Sequence, residues 1–321
     1  MTPLPRIYVS IASFRDPECQ HTVRDLFVKA SYPERIFAGI CWQVDPEMDK
    51  DCFVHAPRFP EQVREKRFRV EESRGGCWAR AEALALWGGE EYILQIDAHM
   101  RFTPGWDCLL LDALARCPTR PALLSTMLPN YFPPEELQDC SGGITLAHAD
   151  RLGDAEELQP LHLKGHFRPL DQTFNQPVLG AFFVGNFMFA PAEAVQEVPF
   201  DPYIYFRGQE LVYSARLWTH GYDIYQPDRV IAYHHWTSVS RPSLGGKPHY
   251  KDVSAEALRG RARVRHVLGV EETPDTDALI DIDRYGMGTA RSLEAYWRFS
   301  GLDLRAGTIA DKAKHVRWTQ L

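Results

Sequence analysis

The chain has 321 residues, 45% hydrophobic and 25% charged, which is globular material with no sign of disorder, long enough for one large domain or two smaller ones. A net charge of -7 and a pI near 6.0 exclude the broad basic surface that holds nucleic acid, while leaving room for a local basic pocket for phosphates. The longest apolar runs fall far short of the ~20 residues of a membrane span. The opening Met1-Thr2-Pro3-Leu4-Pro5-Arg6 also lacks a charged segment followed by an apolar one, so a soluble, cytoplasmic protein with no membrane partner is expected. Seven cysteines, at 19, 41, 52, 77, 108, 117 and 140, show no C-x-x-C and no zinc spacing, and read as reduced packing thiols.

In chain order, Ile7 to Ala12 forms an apolar strand that stops at the polar turn Ser13-Phe14-Arg15-Asp16-Pro17. A helix is expected over His21 to Ala30, where Val23, Leu26 and Phe27 share one face, and a second strand over Ile36 to Val44 ends at Asp45. Phe68 to Val70 is a candidate third strand, followed by a helix over Ala81 to Trp87 and a buried strand over Tyr92 to Ile96. This βαβ rhythm predicts an α/β protein with a mainly parallel sheet flanked by helices. A helix over Trp106 to Ala115 and a strand over Ala122 to Met127 follow. Residues 130 to 178, rich in Pro, Gly and acids, read as a long excursion over the site with some short strands. Order returns over Pro177 to Ala190, where Gly180 and Gly185 suggest close backbone approach. A helix over Gly208 to His220 places Glu210 in its first turn, and a strand over Val230 to Tyr233 leads into His234-His235-Trp236. Beyond it, Ser254 to Val267 is expected to be a helix with an arginine-rich exposed face, and the last fifty residues a mixed appendix.

Two strand ends carry chemistry. Asp97 and His99 lie two apart after an apolar run, so on an extended chain both point the same way and can reach one ion. His234 and His235 follow a second short strand, and neighbouring parallel strands would bring the two ends together. Only one of the adjacent pair can face the ion, because consecutive residues point to opposite faces. One carboxylate and two imidazoles suit a divalent cation with positions left for water or a substrate phosphate. An Asp at a strand end also caps turns, and a loop His is often only a solvated side chain.

Several ordered stretches carry a resemblance: Gln95-Ile96-Asp97-Ala98-His99-Met100-Arg101-Phe102; Gly180-Ala181-Phe182-Phe183 with Asn186 and Phe189-Ala190; Val198 to Pro202; Gly208-Gln209-Glu210; Arg216 to Asp223; Tyr233-His234; and Arg284 to Gly288 with Arg291-Ser292-Leu293. Together they resemble the cytoplasmic polypeptide N-acetylglucosaminyltransferases, glycosyltransferase family 60, whose best-known members modify hydroxyproline. More distantly the chain is similar to polypeptide N-acetylgalactosaminyltransferases. The resemblance, spanning residues 6 to 305, implies a GT-A fold, UDP-GlcNAc as donor, Mn²⁺ or Mg²⁺ as cofactor, and transfer with retention to a hydroxyl on a protein, peptide or glycan. It makes Asp97, His99 and His234 the metal ligands, with His235 as the fallback third.

On that reading, residues 1–240 form the catalytic domain, with a nucleotide-sugar half about 1–105 and an acceptor half about 106–240. Residues 241–321 form a helical extension packed on it. Arg80, with Arg15 or Arg74, would supplement the charge on the diphosphate, since guanidinium matches phosphate oxygens bidentately. Ala12, Ser13, Phe14, Arg15, Asp16, Gln43 and Asp45 lie where the first two strand ends would hold the uridine, with Gly76 and Ala98 completing the donor site. Asn186, Gln209 and Glu210 would face the sugar or acceptor. Where similar proteins commonly carry Gly-Glu-Glu, this chain has Gln209. Two other readings stand beside this one: a metallohydrolase built on Asp97, His99, His234 and His235, and an inactive sugar-binding protein. The first needs a denser set of bridging carboxylates, the second an eroded metal site.

Overall fold

The computed structural model describes residues 4–153, 159–169, 175–236 and 254–319. Strand β1 (Ile7–Phe14) leads into helix α1 (Glu18–Lys29), then strands β2 (Ile36–Val44) and β3 (Val63–Arg69), helix α2 (Gly76–Leu84), and strands β4 (Tyr92–Asp97) and β5 (Met100–Phe102). Helix α3 (Trp106–Ala115) and strand β6 (Ala122–Ser125) precede two short strands, β7 (Tyr131–Phe132) and β8 (Glu136–Leu137), and two long ones, β9 (Gly143–Leu152) and β10 (Leu161–Pro169). Next come β11 (Val178–Gly180), β12 (Phe187–Pro191), α4 (Ala192–Glu197), α5 (Gln209–Thr219), β13 (Asp223–Gln226) and β14 (Ala232–His234). Helices α6 (Ala255–Val267) and α7 (Leu293–Ser300), the hairpin of β15 (Leu302–Asp303) and β16 (Thr308–Ile309), and α8 (Asp311–Lys314) complete the described chain.

Eight strands form the central sheet in the order β11-β13-β6-β12-β4-β1-β2-β3. The run β4-β1-β2-β3 is parallel, and β12 enters antiparallel between β4 and β6. β1 is buried on both faces: Ile7, Val9 and Ile11 pack with Leu94, Ile96 and the α1 residues Val23, Leu26 and Phe27, while Tyr8 packs with Ile93 and Met188 on the other side. Burial on both faces explains why β1 reads as a continuous apolar run. Each such Leu, Ile or Phe contributes roughly 1.5–3 kcal/mol on leaving water. A further core joins Ile144, Leu161, Leu211 and Ala215 to Val264, Tyr296, Phe299 and Trp318, so the elements after residue 254 share apolar contacts with β9, β10 and α5. The expected boundary near residue 240 lies outside the described residues.

Several expectations need correction. The third strand runs over Val63–Arg69, not Phe68 to Val70, because its alternation is of charged with half-buried residues at the sheet edge, where charge protects against edge pairing. α2 begins at Gly76, five residues before the expected Ala81. The preceding Gly75 adopts φ +96, and a Cβ there would lie 2.2 Å from the Tyr205 carbonyl oxygen. The excursion over 130–178 contains a long antiparallel hairpin of β9 and β10, although its residues 154–158 and 170–174 lie outside the described set. On α6, Arg263 is fully buried rather than part of an exposed arginine face. Finally, β14 does not run parallel beside β4: it pairs antiparallel with β5, through His234 and Met100. No helix among the described residues is long and apolar enough to cross a membrane.

Candidate metal and donor site

The carboxyl ends of β4, β1 and β2 lie side by side, with Ala12 opposite Asp97 and Phe14 opposite Gln43. Open α/β sheets bind their ligands at this edge. Beyond Asp97 the chain turns and re-forms as β5, on which β14 lays His234 back over the corner. Asp97, His99 and His234 thereby gather into a group whose candidate ligand atoms all lie within 4.8 Å of one another. His234 Nε2 is 3.3 Å from Asp97 Oδ2, and the rings of His99 and His234 meet edge to face at 4.6 Å. His235 is turned away, its Nδ1 3.2 Å from the Tyr131 carbonyl oxygen and its ring 6.4 Å from that of His99.

Burial opposes the charge on Asp97, but the hydrogen bond with His234, the Arg80 guanidinium and the nearness of the His234 and His99 rings outweigh it and hold the carboxyl well below the usual carboxylate range. The Asp97 side chain keeps 30% of its surface exposed, so the group has an open side. An ionised carboxylate beside two imidazoles, open on one side, fits a divalent cation that retains positions for substrate oxygens.

Around this group the Gly185 peptide is a junction. Its carbonyl accepts from Arg80 Nη2 at 2.6 Å and Gln95 Nε2 at 3.0 Å, and its N–H donates to Glu210 Oε1 at 2.9 Å. Arg80 Nη2 also donates to Asp97 Oδ1 at 3.0 Å. A Cβ at residue 185 would approach Gln209 Nε2 and the Arg80 guanidinium to 3.1–3.3 Å, which accounts for the close approach expected at this glycine. The next residue, Asn186, accepts the Asp97 N–H on its carbonyl at 3.4 Å. Both amide atoms of the buried Asn186 side chain, and Arg80 Nη1, find no partner among the described residues. Buried polar atoms of this kind call for a ligand or water.

Glu210 stands in the first turn of α5, with Oε2 also accepting from Gln159 at 3.4 Å. Burial pushes its carboxyl up, against the opposing Gly185 N–H and Arg80. Gln209 is buried and accepts the Cys77 thiol at 2.8 Å.

Other expected donor residues make contacts of their own. Arg15 is buried and paired with Asp49, with Nε 2.8 Å from Oδ2 and Nη2 2.9 Å from Oδ1. Asp45 caps the following turn by accepting from the N–H groups of Glu47 and Met48. The Gln43 amide joins the Ser13 carbonyl to the Ser73 hydroxyl, and Gly76 lies under the Phe206 ring, 2.7 Å from where a Cβ would sit. Arg74 is exposed.

Sequence reasoning missed Asp49, Gln95 and Thr22, and it placed Asp16 toward the uridine. In the structure Asp16 Oδ2 lies 2.7 Å from His99 Nδ1, while Thr22 accepts the Met100 N–H and donates to the Ala98 carbonyl at 2.7 Å. No one-dimensional signal marks these residues, since each acts across more than 30 positions of sequence.

Among solved structures, the chain resembles GalNAc-T7 crystallised with UDP, GalNAc and Mn²⁺, at 16% identity and TM-score 0.60, over 82% of this chain and 49% of that one. This chain thus spans about half the length of that protein. The TarS 1–349 structure from S. aureus aligns at 9% identity and TM-score 0.47 over 92% of this chain and 72% of that one, too weak a likeness to bear on the fold. No curated protein sequence matches. The sheet order and the GalNAc-T7 likeness describe a GT-A fold. The family model described as glycosyltransferase (GlcNAc) matches residues 6–58 and 54–306, nearly the whole chain, and the chain belongs to that family of glycosyltransferases.

Proposed function

We propose that the protein transfers GlcNAc from UDP-GlcNAc, with a divalent cation such as Mn²⁺ or Mg²⁺ and with retention at the anomeric carbon, to a hydroxyl on a protein, peptide or glycan. The observation that carries the reading is the gathering of Asp97, His99 and His234 at the carboxyl edge of the sheet, with Asp97 still partly exposed. GalNAc-T7, which shares the fold, holds UDP, GalNAc and Mn²⁺. The donor sugar follows from the family, and retention from the family resemblance. Seven free cysteines accord with the proposed cytoplasmic location. The catalytic domain is proposed to span residues 1–240, with residues 241–321 packed on it.

Asp97, His99 and His234 would hold the cation. Bound there, it would supply neutralising charge to the departing diphosphate. Arg80 positions Asp97 through Nη2 and keeps Nη1 for a phosphate oxygen or a water. Ala12, Ser13 and Phe14 border the site where the uridine would lie, with Ala98 between the ligands. Asn186 offers a donor and an acceptor to sugar hydroxyls, and Glu210, linked to the adjacent Gly185 N–H, sets the pose of that turn. The metallohydrolase reading is disfavoured, since one three-donor group is found among the described residues and no second cluster for a paired ion.

The test is UDP release from a panel of UDP-sugars with and without Mn²⁺. UDP-GlcNAc should turn over fastest and only with metal, and Asp97→Ala and His99→Ala should abolish it. Metal-independent release, or turnover intact in both variants, overturns the reading.

A further inference from the structure

Asp16, expected toward the uridine, is not one of the three grouped ligand residues, yet it is buried against one of them, His99. It sits where β1 ends and α1 begins, and its two oxygens have different tasks. Oδ1 accepts the Glu18 N–H at 3.0 Å in the first turn of α1, and Oδ2 lies 2.7 Å from His99 Nδ1. Both side chains are nearly removed from water, at 7% exposure for Asp16 and 6% for His99. A carboxylate can only accept, so the short contact places a proton on His99 Nδ1 and leaves the lone pair of the neutral ring on Nε2. The ring is thereby held with the nitrogen that can act as a ligand pointing away from Asp16.

We propose that Asp16 is the positioning residue of the cation site, setting both the tautomer and the orientation of His99. The inference rests on the metal reading above and deepens it. Ligating histidines are commonly oriented by a carboxylate on their other nitrogen, and loss of that partner weakens metal binding 10–100-fold. Here the partner is anchored rigidly, because the same carboxylate is tied to the start of α1. That helix in turn grips the corner at three further points, through Thr22 to Ala98 and Met100, Asp25 to the Phe102 N–H, and Glu18 to Arg101.

The experiment uses the full chain with Mn²⁺ alone, so that no turnover is required. Free Mn²⁺ is titrated by electron paramagnetic resonance, and the His99 tautomer is read from nitrogen-15 shifts assigned with His99→Gln. Asp16→Asn retains an acceptor for the Glu18 N–H and offers its amide N–H to His99 Nδ1, which favours the Nε2–H tautomer. Asp16→Ala removes both contacts.

Wild-type protein should show the Nδ1–H tautomer. The Asn variant should shift toward Nε2–H, and both variants should bind Mn²⁺ 10–100-fold more weakly with native circular dichroism. An Nε2–H ring in wild-type protein, or Mn²⁺ binding within twofold of wild type in either folded variant, overturns the proposal. Asp97→Ala and His99→Ala separate the two failures. If these bind Mn²⁺ like wild type, the metal reading is what fails, and the tautomers of wild type and Asp16→Asn still decide whether Asp16 orients the ring.

Discussion

Glu210 shows how one side chain carries several constraints at the site. Burial raises its carboxyl above the ordinary value of 4.5, because the Gly185 N–H and Arg80 compensate only in part. A raised folded-state value means that the proton-linked stability is complete below the unfolded value and is lost as pH rises through the folded one. Glu210→Gln removes that loss. Relative to wild type, its urea midpoint should therefore rise as pH increases above the ordinary carboxylate range, and a difference that stays flat with pH would contradict the burial argument. The same variant should lower UDP-GlcNAc turnover far more than UDP binding, and parallel losses would argue against a role in transfer. At this scale Asp97 and His99 were legible because a period of two at a strand end is a one-dimensional signal. The engagement of Arg15 by Asp49 was not, since the two lie 34 positions apart.

α1 does more than cover the sheet. Asp16 just before it, and Glu18, Thr22 and Asp25 along it, each reach the segment from Ala98 to Phe102, so the helix acts as a template for the corner. Thr22 is fully buried and its hydroxyl both donates and accepts there. Thr22→Val keeps the shape but leaves the Met100 N–H and the Ala98 carbonyl without this partner. Urea unfolding should show a loss of about 1–3 kcal/mol. Mn²⁺ affinity should fall with it, and an unchanged affinity would mean that the corner holds its form without α1. The helix itself was legible from Val23, Leu26 and Phe27, but that spacing does not show that its polar residues meet the corner. β3 was misplaced for a related reason: its charged residues look like loop until the edge position of the strand is known.

Across the whole molecule, the elements after residue 254 are tied to the rest by a buried ion pair as well as by apolar contact. Arg263 on α6 donates to Asp201 Oδ2 at 2.6 Å and to the carbonyls of Ala278 and Ile280, both at 2.8 Å, with no exposed surface on its side chain. Burial holds the Asp201 carboxyl above its ordinary value even with the Arg263 charge against it, so the acid depends on this partner. Arg263→Met should cost about 3–5 kcal/mol, as expected when one member of a buried pair is left alone. A change within about 0.5 kcal/mol in denaturant unfolding would place the arginine among ordinary surface residues. The ion pair was illegible because Asp201 and Arg263 are 62 positions apart and one lay within an apparently exposed arginine face.

The alternation of apolar strands and amphipathic helices determined the α/β class, and the Asp97-Ala98-His99 and Tyr233-His234 motifs named the side chains that meet. Both are local signals, readable from the spacing of residues along one strand. Only the tertiary structure decided how they meet: β14 turns back antiparallel onto β5, which brings His234 rather than His235 to Asp97. It also decided what surrounds them, because Asp16, Thr22, Arg80 and Glu210 act through contacts between elements. Such contacts depend on sheet order and helix packing, which the spacing of residues along the chain does not encode.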